Sequence, residues 1–164
     1  MLFLKKGKKL FSFGVLLVIL LLSGCDGGEK TVESNYYLSL SGESESWKVD
    51  SYEILIKPET FDVGNGNVTM KNKTEFSTDF FSIGVYAVID NKDTVIQRRS
   101  VTGSESDISE TSMGATEGGT LLNENGEPVS LENISDIYMI IEWKDNKKTK
   151  EEKVDLFNKE GLLN

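Results

Sequence analysis

A chain that does chemistry needs side chains that can attack, hold a proton or grip a metal, and in these 164 residues the supply is narrow. There is no histidine, which removes the commonest general base and metal ligand. The only thiol, Cys25 in "VILLLSGCDGGEK", stands just behind an apolar run, so the usual zinc and copper ligand sets cannot be assembled. No serine lies in a G-x-S-x-G elbow or an S-x-x-K pair, and neither phosphate-cradling glycine motif is present; serine hydrolase and nucleotide chemistry lack their marks. What remains is carboxylate. Glu43 with Glu45, and Asp107 with Glu110, are close in sequence, and hydrolysis by two carboxyl groups asks only that they stand about 5 to 9 Å apart. The plainer reading of each is an acid on a solvated loop or strand edge. "DVGNGN" at 62–67 begins like a calcium loop, but its third and fifth positions are Gly64 and Gly66 and its twelfth is Lys73, where oxygen ligands belong; a turn explains it better. Trp47 and Trp143 could stack a sugar or a partner, yet both fall on apolar strand parities and read as core anchors. Arg98 to Ser100, "RRS", is a small basic island that an edge strand protected by charge would also produce. The expectation is a chain with no catalytic residue, no metal site and no cofactor.

Cys25 then needs another use. Lys5, Lys6, Lys8 and Lys9 are unbalanced by any acid, and Leu10 to Leu22 is an apolar run of 13 residues, too short for the roughly 20 that cross a bilayer as a helix and of the kind found in a signal peptide. The quartet Leu22, Ser23, Gly24, Cys25 follows. It resembles the lipobox of bacterial lipoproteins. The resemblance implies a diacylglyceryl thioether on Cys25 and cleavage between Gly24 and Cys25, so that the cysteine opens the mature chain. A cleaved secretory signal with a free thiol, or an uncleaved helix, is the alternative. Each buried methylene of an acyl chain contributes about 0.8 kcal/mol, and two chains hold where one only visits. Asp26 resembles the residue that retains lipoproteins on the inner membrane of double-membraned bacteria; with one membrane it carries no such meaning.

The chain carries −9, and residues 1–24 hold four of its lysines and no acid, so the rest carries −13. Such a body is repelled by anionic membrane surfaces and by nucleic acid, for which it has no basic stripe. Calcium or a basic protein face suits it better, while solubility alone accounts for much of the charge. With no second cysteine the domain has no disulfide and relies on its core; the 140 residues left are enough, since a chain of roughly 150 buries about two-thirds of its unfolded surface.

The elements that must position everything else read as strands. Phe81, Ile83, Val85, Ala87 and Ile89 alternate with other residues, the period of a strand with one face in a core. "DNKD" is a tight turn into "TVIQRRSV". Ile137, Met139, Ile141 and Trp143 repeat the pattern, with "KDNKK" turning into "TKEEKVDLF". Between Trp47 and Ile56 the apolar parity changes, which predicts a bulge or bend. Asn125–Gly126 signals a hairpin turn, and "LENISDI" a single helical turn. Thr102 to Thr120, rich in Ser, Gly, Thr and Glu, reads as a long loop. The chain is therefore expected to be all-β: a signal peptide over 1–24, a lipidated flexible tether over 25–35, and over 36–164 one β-sandwich of seven or eight strands with immunoglobulin-like architecture, or alternatively a small barrel.

"SGESESW" at 41–47 and "IYMIIEWKDNKKTKEEKVDL" at 137–156 resemble segments of small uncharacterised lipoproteins of Bacillus-type, single-membraned bacteria. The resemblance implies a lipoprotein on the outer face of the plasma membrane with a β-sandwich body, and no activity. The expected role is a non-enzymatic interaction or accessory module, held to the membrane by covalent lipid, with an envelope protein as partner and no nucleic acid. Weak calcium or small-solute binding is the alternative, and a carboxylate-based extracellular hydrolase a further one.

Overall fold

The computed structural model describes residues 35–162, and the fold they make is set by two hairpins and a three-strand meander that each leave one face apolar. Cys25, its flanking quartet and nearly all of the expected tether lie outside the described residues. β1 (Tyr36–Glu43) and β2 (Trp47–Ile56) pair antiparallel. On the other side of β2 lie β3 (Phe61–Gly64) and β4 (Asn67–Met70), which share one register. They are one strand with a break in it. β7 (Glu110–Ser112) and β8 (Ala115–Thr116) repeat the arrangement outside them, again in a single register. The second sheet has the order β10 (Lys148–Asn158), β9 (Ile134–Asp145), β5 (Ser77–Ile89), β6 (Lys92–Asp107).

The two antiparallel sheets face each other, with β10 near β1 and β6 near β3. This is a β-sandwich, since no strand pairing joins the sheets as a barrel requires. Its strand order is its own. An immunoglobulin constant domain places its second and third strands in opposite sheets, whereas β1 to β4 here stay in one.

The alternating residues pack as their period demands. Phe81, Ile83, Val85, Ala87 and Ile89 are buried against Ile137, Met139, Ile141 and Trp143 on the neighbouring strand, and against Trp47, Val49, Tyr52, Ile54 and Ile56 across the interior. Trp47 anchors the centre, tilted on Phe81 at 5.5 Å and edge-on to Trp143 at 5.4 Å. Both tryptophans are thus core anchors. The turns follow from residues that tolerate positive φ: Asp90–Asn91 and Asn146–Lys147 are in the left-handed region at both positions, which matches the twist of a two-residue hairpin.

Three expectations about loops and turns are corrected. Thr102 to Thr120 is not a long loop: Thr102–Asp107 completes β6, and the chain then crosses between sheets to form β7 and β8. Its polar composition reflects an edge position, and the sparse apolar residues Ile108 and Met113 are buried where the chain dives inward. "DVGNGN" does not reverse the chain either. Ser51 at φ 53° bulges in β2 beside Gly64 at φ 133° and Asn65 at φ 58°, and the parity change in Trp47–Ile56 is this bulge. A methyl group on Gly64 would stand 2.0 Å from the Gly114 carbonyl; only glycine lets the two broken strands lie so close. Asn125–Gly126 makes a turn closed by a single bridge, Leu122 to Pro128, not a hairpin of strands. The helical turn is present at Leu131–Asn133.

The two seams of the sandwich are closed differently. Where β1 meets β10 the ladder of each with its own neighbour shifts register, and a methyl on Gly42 would meet the Asp155 carbonyl at 2.3 Å. Glu152 on β10 accepts hydrogen bonds from the Ser44 hydroxyl at 2.6 Å and the Ser46 amide at 2.8 Å. β1 and β10 therefore run antiparallel across this seam, and Tyr36 lies at the same end as Asn158. At the other seam Arg99 donates to the Ser112 carbonyl, and Gln97 donates to Thr116 Oγ1 at 3.0 Å and to the Gly114 carbonyl at 3.3 Å.

Candidate functional site

The carboxylate pairs chosen by sequence proximity are put to structural work. Asp107 accepts the amides of Phe76 at 3.0 Å and Ser109 at 2.9 Å, pinning the crossover from β6 to β7. Those hydrogen bonds hold its carboxyl below the usual range. Glu110 is exposed on β7. Glu43 pairs with Lys71 at 3.3 Å, and Glu45 is exposed in the adjoining turn. None of the hollows described below is lined by both members of either pair. Asp62 of "DVGNGN" receives the Gly118 amide at 3.1 Å; among the described residues no group of three acids could hold a metal ion. Each perturbed carboxylate ties one element to another. Partial burial alone would raise Glu152, but its bonds from Ser44 and Ser46 outweigh that and bring it below the ordinary value; Glu53 is lowered by the Tyr37 hydroxyl and Asn65 amide that brace the break in β3 and β4.

A site that sequence reading missed lies on the outer face of the second sheet. The residues of β5 that alternate with its core set, Phe80, Ser82, Gly84 and Tyr86, point out there. Register supplies the flanks: Glu142 and Ser100 beside Ser82, Ile140 and Arg98 beside Gly84, Tyr138 beside Tyr86, Thr102 beside Phe80. All of them but Tyr138, which lies behind Tyr86, line a groove of about 330 Å³. Its ends are aromatic, Phe80 at one and Tyr86 at the other. Its floor is hydroxyl and glycine.

Gly84 explains the shape. A methyl there would stand 2.8 Å from the Tyr86 ring, so the ring leans over the bare backbone, a way of covering a strand glycine with an aromatic neighbour. Tyr86 stacks on Tyr138 at 5.2 Å with rings 10° apart. Lys153 sits 4.3 Å above the Tyr138 ring, and the Tyr138 hydroxyl donates to Asp93 at 2.7 Å. Burial first, then the Asp93 carboxylate, pushes the Tyr138 hydroxyl up to about 12. The aromatic wall is thus braced from behind.

The charges of the groove are not braced. "RRS" divides into two roles: Arg99 is committed to the seam, while the exposed Arg98 has neither a salt bridge nor a hydrogen bond among the described residues. Glu142, half-buried on the opposite wall, has no partner either, and directly across from it on β10 stands another carboxylate, Glu151. Like charges facing across a ladder repel. Two other hollows among the described residues differ. One, about 360 Å³, has its Lys144 paired with Asp79 at 3.2 Å; the other, about 220 Å³, is walled by Phe61, Val95, Ile96 and Leu121. The only signal of the groove in the sequence was a glycine on the solvent parity of an otherwise regular strand. Compared with known proteins, the chain matches no family model, no curated protein and no solved structure.

Proposed function

We propose that this protein is a lipid-anchored module on the outer face of a plasma membrane, where it serves as a non-enzymatic interaction or accessory domain. The observation that carries the reading is Cys25, placed after a basic segment, a short apolar run and Leu22-Ser23-Gly24. β1 begins at Tyr36, so ten residues, Asp26 to Asn35, join the thioether to the first strand, a reach of roughly 18 Å if flexible. That length suits a domain held close to its membrane and free to turn. The interaction role is supported by the use made of the perturbed carboxylates, each of which ties strands or turns together, and by a groove whose charges face outward unpaired.

Replacing Cys25 with Ser tests the anchor. Cells grown with a palmitate analogue should label the parent chain and not Cys25→Ser, and the mutant should leave the membrane fraction while its folded domain melts unchanged. Equal membrane-bound fractions for the two would overturn the anchorage. Crosslinking in living cells, read against an unrelated lipoprotein at equal level, then tests for an envelope partner.

A further inference from the structure

We infer that the groove across β9, β5 and β6 binds a short zwitterionic peptide, of two or three residues, with its carboxylate at Arg98 and its ammonium at Glu142. The inference names a ligand class for the proposed module and rests on that reading for the groove's access to extracellular peptides. Four observations carry it. Arg98 and Glu142 stand on opposite walls with β5 between them, and no ion pair joins them. Arg98 stands beside Gly84 and Glu142 beside Ser82, so two strand spacings and a two-residue offset put their backbones roughly 12 Å apart, and a peptide advancing about 3.3 Å per residue is of a length to lie between the two heads. Arg98 offers a planar fork that fits a carboxylate. The Glu142 wall carries a second negative charge at Glu151, which an ammonium relieves.

The remaining lining fits the middle of such a ligand. Ser82 and Ser100 present hydroxyls that both donate and accept, matching peptide N–H and C=O groups. Ile140 and the rings at the two ends give apolar surface to a small side chain. The volume, about 330 Å³, lies at the low end of the roughly 300 to 1,000 Å³ of small-molecule sites. An anion alone would leave Glu142 and Glu151 facing each other, and a cation alone would leave Arg98 bare. A ligand with both charges answers both walls.

The test uses the full chain in detergent micelles, titrated with trialanine and with Ala-Phe-Ala while backbone amide resonances are followed. Saturable shifts are expected at Ser82, Gly84 and Ser100, with a dissociation constant of about 0.1 to 1 mM for so small a ligand. Acetylating the peptide amine or amidating its carboxylate should weaken binding about tenfold each. Arg98→Ala should bind the free and amidated peptides equally, and Glu142→Gln the free and acetylated ones equally. Both positions are on the surface, and unchanged melting of the variants separates lost binding from lost fold. No saturable shift to millimolar peptide, or blocked peptides binding the parent as well as free ones, would overturn the inference. The anchor is read separately by fractionation, so each reading fails on its own evidence.

Discussion

Tyr52 and Gln97 show what a buried polar pair does inside a core without a disulfide. The Tyr52 hydroxyl donates to Gln97 Oε1 at 2.9 Å, and both residues are buried. Through Gln97 the bond continues to the edge strand β8. Tyr52→Phe strips an acceptor that water does not reach, which should lower stability by about 1 to 3 kcal/mol in urea unfolding. Removing both partners, Tyr52→Phe with Gln97→Leu, should cost less than the sum of the single changes, since Thr116 is exposed to solvent and the Gly114 carbonyl keeps the Asn65 amide. The pair also sets an alkaline limit. Burial raises the Tyr52 hydroxyl far above its ordinary value of 10.0, so its contribution is complete below pH 10 and declines above it, where the unfolded chain ionises and the folded one does not. Tyr52→Phe should flatten that alkaline limb; an unchanged slope would point to Tyr138 instead.

At the scale of elements, the broken strands are the feature that residue types decide. β3 and β4 keep one register across Gly64, Asn65 and Gly66 because β2 bulges at Ser51 on the facing strand. Gly64→Ala combines a positive φ with a methyl driven onto the Gly114 carbonyl, and should lose about 3 kcal/mol or more by thermal or urea unfolding. Gly119→Ala, where a methyl would meet nothing within 4 Å, serves as the control and should stay within about 0.5 kcal/mol. Strands with a full apolar alternation, such as Phe81 to Ile89 and Ile137 to Trp143, were legible because period two needs no partner to be seen. The β7 and β8 edge was not, because one exposed face and a break at Met113–Gly114 leave no period to count. The groove was invisible for a related reason. Ser82, Arg98 and Glu142 belong to three strands, and only the register brings them together.

Across the whole molecule, the two sheets are joined at the β1 and β10 seam by one carboxylate. Glu152 belongs to the second sheet and holds the turn between β1 and β2 through Ser44 and Ser46. Its pKa in the fold lies below the ordinary 4.5, so its contribution is present above pH 4.5 and is lost as pH falls through the folded value. Asp107, also lowered, acts in the same direction at the crossover from β6 to β7. Stability should therefore fall off in acid below about pH 4. Glu152→Gln should cost about 1 kcal/mol at pH 7, a figure kept small by partial exposure, and should make the acid limb shallower. Parallel melting curves of parent and mutant from pH 7 to pH 3 would remove Glu152 from that account.

The placement of Tyr36 and Asn158 at one end has a mechanical consequence. Under the proposed anchorage, any pull between the membrane and something held on the second sheet enters through β1. That strand is paired along its length with β2, from Tyr36 opposite Ile56 to Glu43 opposite Lys48. A load along its axis slides the ladder, so the hydrogen bonds between the strands resist together and none is opened alone. Under that anchorage the sandwich should resist a pull along β1 and yield more readily if the same strand is peeled from the side.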